Sequence, residues 1–344
     1  MTHTSRGKHR LMHRLRLLRA YGQGRIIVPG LPMYVTISPT SRCNLHCPMC
    51  PRAISTFANR DMEYPLFQKI LAEGAPYFQF VYLMGGGEPM LNPDLFRMVR
   101  DCARQNLGTG FSTNATLLRD AAIEEVFDSR LDYIILAFDG TTPEVYEKYR
   151  QGARFETTQA NIHRFLQRKV ERKSRIRVTL QMVRLPGNRH QVADFFRMWN
   201  IRGVDDIRIK EDEIGVAGET LKTGELSPRR NPCHFLWQGP PYIDETGDVY
   251  PCCYMWDTAP LGNVREEELQ NIWNNDAMQA LRSAHVAGDL EKLPFCQTCL
   301  APRPRRPVIV GSFLVDPRHV RRLIPLVERL ALRHRISFFE DRHD

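Results

Sequence analysis

At 344 residues, 42% of them hydrophobic, the chain has room for one large domain, or for a large and a small one. No apolar run approaches the ~20 residues needed to span a bilayer, and the N-terminus lacks the apolar segment of a secretory signal; a cytoplasmic protein without a transmembrane segment is expected. The net charge of +9 sits at the ends, with seven basic and no acidic residues in 1–30 and ten arginines against five acids in 301–344. A mildly acidic middle argues against nucleic acid as a partner of the body of the protein.

Residues 8–20 place Leu11, Leu15 and Leu18 at i, i+4 and i+7 between arginines. This predicts an amphipathic helix packed on the domain through its leucines, in preference to one laid on a membrane or a partner. Gly22, Gly24, Pro29 and Gly30 mark a linker. A short strand follows at 34–37, then a loop holding Cys43, Cys47 and Cys50, then a helix over 64–72. Strand 80–84 runs into Gly85-Gly86-Gly87-Glu88-Pro89, a helix covers 93–106, and Gly110 to Asn114 form another strand end. Helix returns over 119–127, strand 133–138 leads into Asp139-Gly140, and a helix starts at Pro143. Strands 176–183 and 206–210 continue the alternation. Six strand–helix units predict an α/β fold, a partial (β/α)6 barrel, with functional loops at the C-terminal ends of the strands. The cysteine loop, the triple glycine and Asp139 all fall there.

Near Leu226 the composition turns rich in Pro, Gly, Cys and Trp, and Cys233, Cys252, Cys253, Cys296 and Cys299 cluster in it. The chain is therefore divided into a basic N-terminal helix and linker (1–30), a core (31–222), a cysteine-rich domain (223–302) and a basic helical extension (303–344). In that extension Pro304 to Pro307 reads as a linker, and Val320, Leu323, Ile324, Val327 and Leu330 as a last amphipathic helix.

The C-x3-C-x2-C run at 43–50 supplies three thiolates, one short of a closed tetrahedral site. Four cysteines close a [4Fe–4S] cluster, so three leave one iron open for chemistry. His46, wedged between two of the cysteines, is poorly placed as a fourth ligand. Nine cysteines without a secretion signal read as cluster or metal ligands, not as a disulfide framework. A triple glycine after a strand is weak evidence alone, because phosphate loops use it too; here no Gly-Lys-Ser/Thr ending follows.

The cysteine triplet, Gly85 to Pro89, Ser112-Thr113-Asn114 and Phe138-Asp139-Gly140 occur together in the order and rough spacing of radical S-adenosylmethionine (SAM) enzymes. Residues 35–210 resemble the core of that family. The resemblance implies that Cys43, Cys47 and Cys50 hold a [4Fe–4S] cluster whose open iron is chelated by SAM. It also implies that Gly85, Gly86 and Gly87 let the backbone approach the methionine moiety, and that Glu88 pairs with its ammonium. Asn114 and Asp139 are implied as further SAM contacts. One position departs from the family pattern: Ala137 stands where a serine is common, which puts one polar SAM contact in doubt. The second cysteine group resembles the SPASM/Twitch extension, through Cys233, Gly247, Cys252, Leu261 to Val264, Ile272-Trp273 and Cys296 to Cys299. Its count implies one auxiliary [4Fe–4S] cluster on Cys233, Cys252, Cys296 and Cys299, the shortened Twitch-like form. A four-cysteine zinc site is the competing reading. Cys253 is left over, as a packed thiol, an alternative ligand or a hydrogen-atom donor to a substrate radical; Cys102 reads as core.

The activity implied is reductive cleavage of SAM to a 5′-deoxyadenosyl radical, driven by an external one-electron donor such as flavodoxin or ferredoxin, followed by hydrogen abstraction from substrate. The outcome would be oxidation, epimerisation or elimination. Arg184, Lys210 and Glu211, on late strand ends, are the substrate-contact candidates. With only residues 1–30 ahead of the core, a small polar substrate of the sugar, aminocyclitol, aminoglycoside or nucleoside type is expected, in specialised metabolism such as antibiotic biosynthesis. The alternatives are a peptide-modifying maturase whose leader docks on the basic N-terminal helix, and a non-catalytic zinc- and nucleic-acid-binding protein.

Overall fold

The computed structural model describes residues 3–212, 231–255, 257–297, 299 and 304–315. Its centre is one nine-stranded sheet in the order β6-β5-β4-β3-β2-β1-β7-β8-β9. The strands are β1 (Tyr34–Ile37), β2 (Phe80–Leu83), β3 (Gly108–Thr113), β4 (Tyr133–Ala137), β5 (Arg177–Arg184), β6 (Asp206–Glu211), β7 (Tyr242–Ile243), β8 (Asp248–Tyr250) and β9 (Gly262–Asn263). Strands β1 to β6 are parallel and adjacent in sequence order. Crossovers of one hand then lay the connecting helices on one face. That leaves the strand C-termini free to build a site. Strand β4 is buried along its whole length, so both faces of the sheet are covered there.

The helices are α1 (His3–Gly22), α2 (Tyr64–Gly74), α3 (Leu95–Arg104), α4 (Asp120–Asp128), α5 (Pro143–Tyr149), α6 (Phe155–Glu171) and α7 (Val192–Trp199). In the C-terminal part they are α8 (Phe235–Gln238), α9 (Leu269–Trp273), α10 (Asp276–Ala287), α11 (Pro294–Gln297) and α12 (Arg306–Leu314). Helix α3 shows why they pack: Leu95, Met98, Val99 and Cys102 repeat at helical spacing and are buried. Cys102 is thus core, and burial pushes its thiol well up.

Two expectations need correction. Of the leucine stripe of α1 only Leu18 packs against the core. Arg10, His13, Leu17, Ala20 and Tyr21 are buried, whereas Leu11 and Leu15 are exposed. The reason is polar. The Arg10 guanidinium donates to the carbonyls of Ala75, Gln105 and Asn106, where α2 and α3 end and leave acceptors unpaired. His13 Nε2 lies 2.7 Å from the Leu31 carbonyl oxygen. The second correction concerns Pro304 to Pro307: α12 begins within this run, with Pro307 in its first turn, where a missing N–H costs nothing. The last amphipathic helix, from Val320 to Leu330, and the boundary near residue 222 lie outside the described residues.

The described strands of the cysteine-rich part join the core sheet. Strand β7 pairs in parallel with β1, and β8 and β9 follow as antiparallel neighbours. The β7–β8 turn is set by Asp244, whose Oδ1 accepts from the N–H groups of Thr246, Gly247 and Asp248. Gly247 supplies the positive φ, 100°, that the turn requires.

Candidate functional site: a cysteine-lined cavity at the strand ends

The strand C-termini enclose a cavity of about 810 Å3. Its wall carries Cys43, Cys47 and Cys50, the stretches Gly85 to Glu88 and Ser112 to Asn114, Ala137, Arg150, Gln181, Lys210 to Asp212, Tyr242, Cys253 and Tyr254. Every residue of the first cysteine triplet and of the glycine run therefore shares one chamber.

Each group is held from behind. Burial pushes the Cys47 thiol up to about 11 against the pull of Arg150, and Cys50, Asp139 and Cys43 push it further. The Cys43 thiol is raised for the same first reason, burial. Three crowded cysteines, with the Cys43 and Cys47 thiols raised by burial, suit a centre that takes them as thiolates, and soft iron ions do so. Arg150 adds the counter-charge: its NH1 is 4.0 Å from Cys47 Sγ, and its Nε donates to Asp139 Oδ2 at 2.5 Å. Burial works against the guanidinium charge, but Asp139, Cys47 and Tyr146 outweigh it and keep it protonated above its ordinary value.

Glu88 is buried in the wall. Oε1 accepts from Thr113 Oγ1 at 2.7 Å and from the Met90 N–H at 3.2 Å, and Oε2 accepts from the Asn114 N–H at 2.8 Å. Burial nevertheless raises its carboxyl above the usual range. A buried carboxylate with this support is suited to an ammonium group, which would hold it ionised. The glycines serve the protein more than a ligand. A Cβ on Gly87 would lie 2.1 Å from the Arg42 carbonyl oxygen, and one on Gly85 2.6 Å from the Tyr242 ring. At Gly86 the nearest obstacle is the Phe57 ring, at 3.0 Å. Arg52 stacks over that ring at 5.1 Å and donates to the carbonyls of Ser41 and Gly86. Gly85 and Gly87 are thus demanded by the segment 38–42 and by Tyr242 packing against them, and Gly86 is crowded by Phe57.

Asp139 is corrected from cofactor contact to support. It is fully buried behind Arg150, and Oδ1 accepts from the Val183 N–H at 2.6 Å. Asn114 does reach the wall, but its carboxamide is spent on Asn44, through Nδ2, and on Thr116, through Oδ1. Ala137 makes its part of the wall apolar, and Gln181, its partner across β4–β5, brings an amide there. Of the substrate candidates, Lys210 and Glu211 line the cavity; Arg184 does not, and pairs with Glu211 at 2.5 Å. Arg150, Gln181, Asp212, Tyr242 and Tyr254 were not anticipated. Only the position of Arg150 after a helix that follows the Asp139 strand end could have flagged one of them.

The second cysteine group lies off the cavity except for Cys253, which is exposed on its wall. Cys252 is raised well above a normal thiol by burial, then by Cys253, Cys233 and Cys299, so these sulfurs are neighbours.

Residues 37–198 match the model of the radical SAM superfamily, and residues 233–300 match the SPASM iron–sulfur cluster-binding domain. The chain belongs to the radical SAM superfamily. It is an enzyme with a radical SAM core and a C-terminal SPASM domain. It is similar to the tungsten-containing aldehyde ferredoxin oxidoreductase cofactor-modifying protein of Pyrococcus furiosus, with 38% identity over 108 residues, 31% of this chain and 30% of that protein's length. It is similar to the PqqA peptide cyclase of Gluconobacter oxydans, with 24% identity over 72% of this chain and 78% of the relative. Among solved structures, Streptococcus suis SuiB bound to its precursor peptide SuiA shares the fold, with a TM-score of 0.61 and 15% identity over 78% of this chain and 70% of SuiB. No described helix is long and apolar enough to cross a membrane. When bound, SAM and the cluster supply a carbon-centred radical that takes a hydrogen atom from substrate. Cys43, Cys47 and Cys50 would hold that cluster, with Glu88 and the glycine backbone against SAM.

Proposed function

We propose that this radical SAM enzyme modifies a polypeptide. The observation that carries the reading is the outward face of α1. Leu11, Met12 and Leu15 are 47%, 50% and 41% exposed, and they alternate with the exposed Lys8, Arg16 and Arg19. Such a face fits an acidic amphipathic segment, as a leader peptide would offer. A peptide cyclase among the relatives and a peptide-bound neighbour support the same reading over the small polar substrate suggested by the short N-terminal segment.

The SPASM cysteines Cys233, Cys252, Cys296 and Cys299 are proposed to hold one fully ligated auxiliary cluster, in a Twitch-like arrangement. Cys253, beside it and on the cavity wall, is the proposed hydrogen donor. Its thiol gives a hydrogen atom to the substrate carbon radical, leaving a thiyl that takes one electron and one proton to return to thiol. That electron would be supplied by the external donor of the flavodoxin or ferredoxin type, with Cys233, Cys252, Cys296 and Cys299 holding the cluster that would conduct it.

The test is anaerobic incubation of reconstituted enzyme with SAM, dithionite and the short polypeptides encoded beside its gene, in D2O. The expected product is a polypeptide carrying one solvent deuterium on carbon, with 5′-deoxyadenosine formed in step. Cys253→Ala should lose the deuterium and keep the 5′-deoxyadenosine. If aminocyclitols or nucleosides stimulate 5′-deoxyadenosine release and no polypeptide does, the proposal is wrong.

A further inference from the structure

The SPASM domain reaches the cavity wall through Tyr242, Cys253 and Tyr254, and Tyr242 is the one that meets the glycine run. Pairing of β7 with β1 sets Tyr242 beside Thr36. From there the ring, 6% exposed, forms part of the cavity wall. Its hydroxyl lies beside Ser38: a Cβ built on Gly85 would stand 2.8 Å from the Tyr242 hydroxyl and 2.9 Å from Ser38 Cβ. Ser38 is a junction. Its Oγ accepts from the Gly86 N–H at 3.3 Å and donates to the Thr40 carbonyl at 3.1 Å, and its own N–H donates to the Ile243 carbonyl at 2.8 Å. The same tyrosine ring lies over Gly85, close enough that no Cβ would fit between them.

Three consecutive glycines have no side chains with which to fix themselves, and their backbone freedom is the largest of any residue type. Whatever holds them before SAM arrives spares the ordering cost on binding. Here the hold comes from three directions: Arg52 on the Gly86 carbonyl, Arg42 on the Glu88 N–H, and the Tyr242–Ser38 pair on the Gly86 N–H. Two of the three belong to the cysteine loop. The third originates in the other domain.

We propose that Tyr242 is a positioning residue for SAM: acting through Ser38, it sets the Gly85–Gly87 backbone in its binding conformation, so that SAM affinity depends on the SPASM hairpin. The hairpin that carries Tyr242 leads, two residues after β8, to Cys252. The auxiliary site is thereby coupled to the SAM site by a short rigid connection, whatever the substrate is.

The test measures SAM binding to anaerobically reconstituted protein by equilibrium dialysis, together with iron content and melting temperature. Tyr242→Phe keeps the ring and removes the hydroxyl. It should bind SAM about fivefold more weakly, the equivalent of one neutral hydrogen bond, with iron and melting temperature unchanged. Ser38→Ala, approached from the core side, should do the same. The double variant should be no weaker than either single one, because both act through one chain of contacts. Unchanged SAM affinity in both variants would overturn the proposal. So would effects that multiply in the double variant, or a loss of iron or melting temperature in both, which would make the contact structural only.

Discussion

Arg150 is where charge, burial and the cysteine triplet meet. Its guanidinium is anchored by the fully buried Asp139 and faces Cys47. A positive charge next to a cluster thiolate favours the reduced, more negative form of the centre. Arg150→Gln removes that charge at little change in size. The midpoint of the N-terminal cluster should fall by on the order of 60 mV, a tenfold change for one electron, in an EPR-monitored redox titration without SAM. An unchanged midpoint would mean that the guanidinium only packs. At this scale the sequence was half legible. Cysteine spacing and Glu88 were readable because ligand chemistry permits few residue types. Asp139 was misread because a carboxylate at a strand end looks the same whether it faces a ligand or an arginine. The glycines were readable as a motif, but their cause, the approach of the 38–42 backbone and of Tyr242 from a distant segment, is written in no local pattern.

Helix α1 shows how an element can be recognised and still be turned the wrong way. Its helicity follows from spacing, but apolar periodicity assigns the buried face to the leucines, whereas the neighbouring helix ends demand hydrogen-bond donors. The carbonyls of Ala75, Gln105 and Asn106 take Arg10, and that of Leu31 takes His13. Pairing of buried polar groups outranks hydrophobic burial here. The consequence is a pH effect. Burial lowers His13 from 6.5 to about 4, despite the bond to Leu31. In that interval the unfolded chain binds the extra proton and the folded one does not, so stability rises with pH. The contribution is complete above pH 6.5 and is lost as pH falls towards 4, to a limit of about 3 kcal/mol. Urea denaturation of wild type and His13→Asn across that range checks it. The wild type should lose stability on acidification and the variant should lose less; parallel losses would place the acid sensitivity elsewhere. The strands were more legible than α1, because a run such as Tyr133 to Ala137 is apolar on both faces and leaves no choice of orientation.

On the scale of the whole molecule, two segments separated in composition are joined by one sheet. The change in composition near Leu226 carries no information about pairing, and β7 completes the core by lying beside β1. The two halves of the second cysteine group then have different mechanical standing. Cys252 directly follows the hairpin that reaches the SAM site, whereas Cys299 lies beyond α10 and α11. The proposed single auxiliary cluster implies that either Cys252→Ala or Cys299→Ala should remove about half of the iron. Their effects on SAM should differ. Cys299→Ala leaves the hairpin paired and should still release 5′-deoxyadenosine under dithionite, while losing turnover of substrate. Cys252→Ala frees the end of β8 and should also weaken SAM binding, in the same direction as Tyr242→Phe. Iron analysis and SAM dialysis on the two variants read both quantities. Equal SAM affinities would mean that β1–β7 pairing alone holds the hairpin and that the auxiliary centre is mechanically separate from the core.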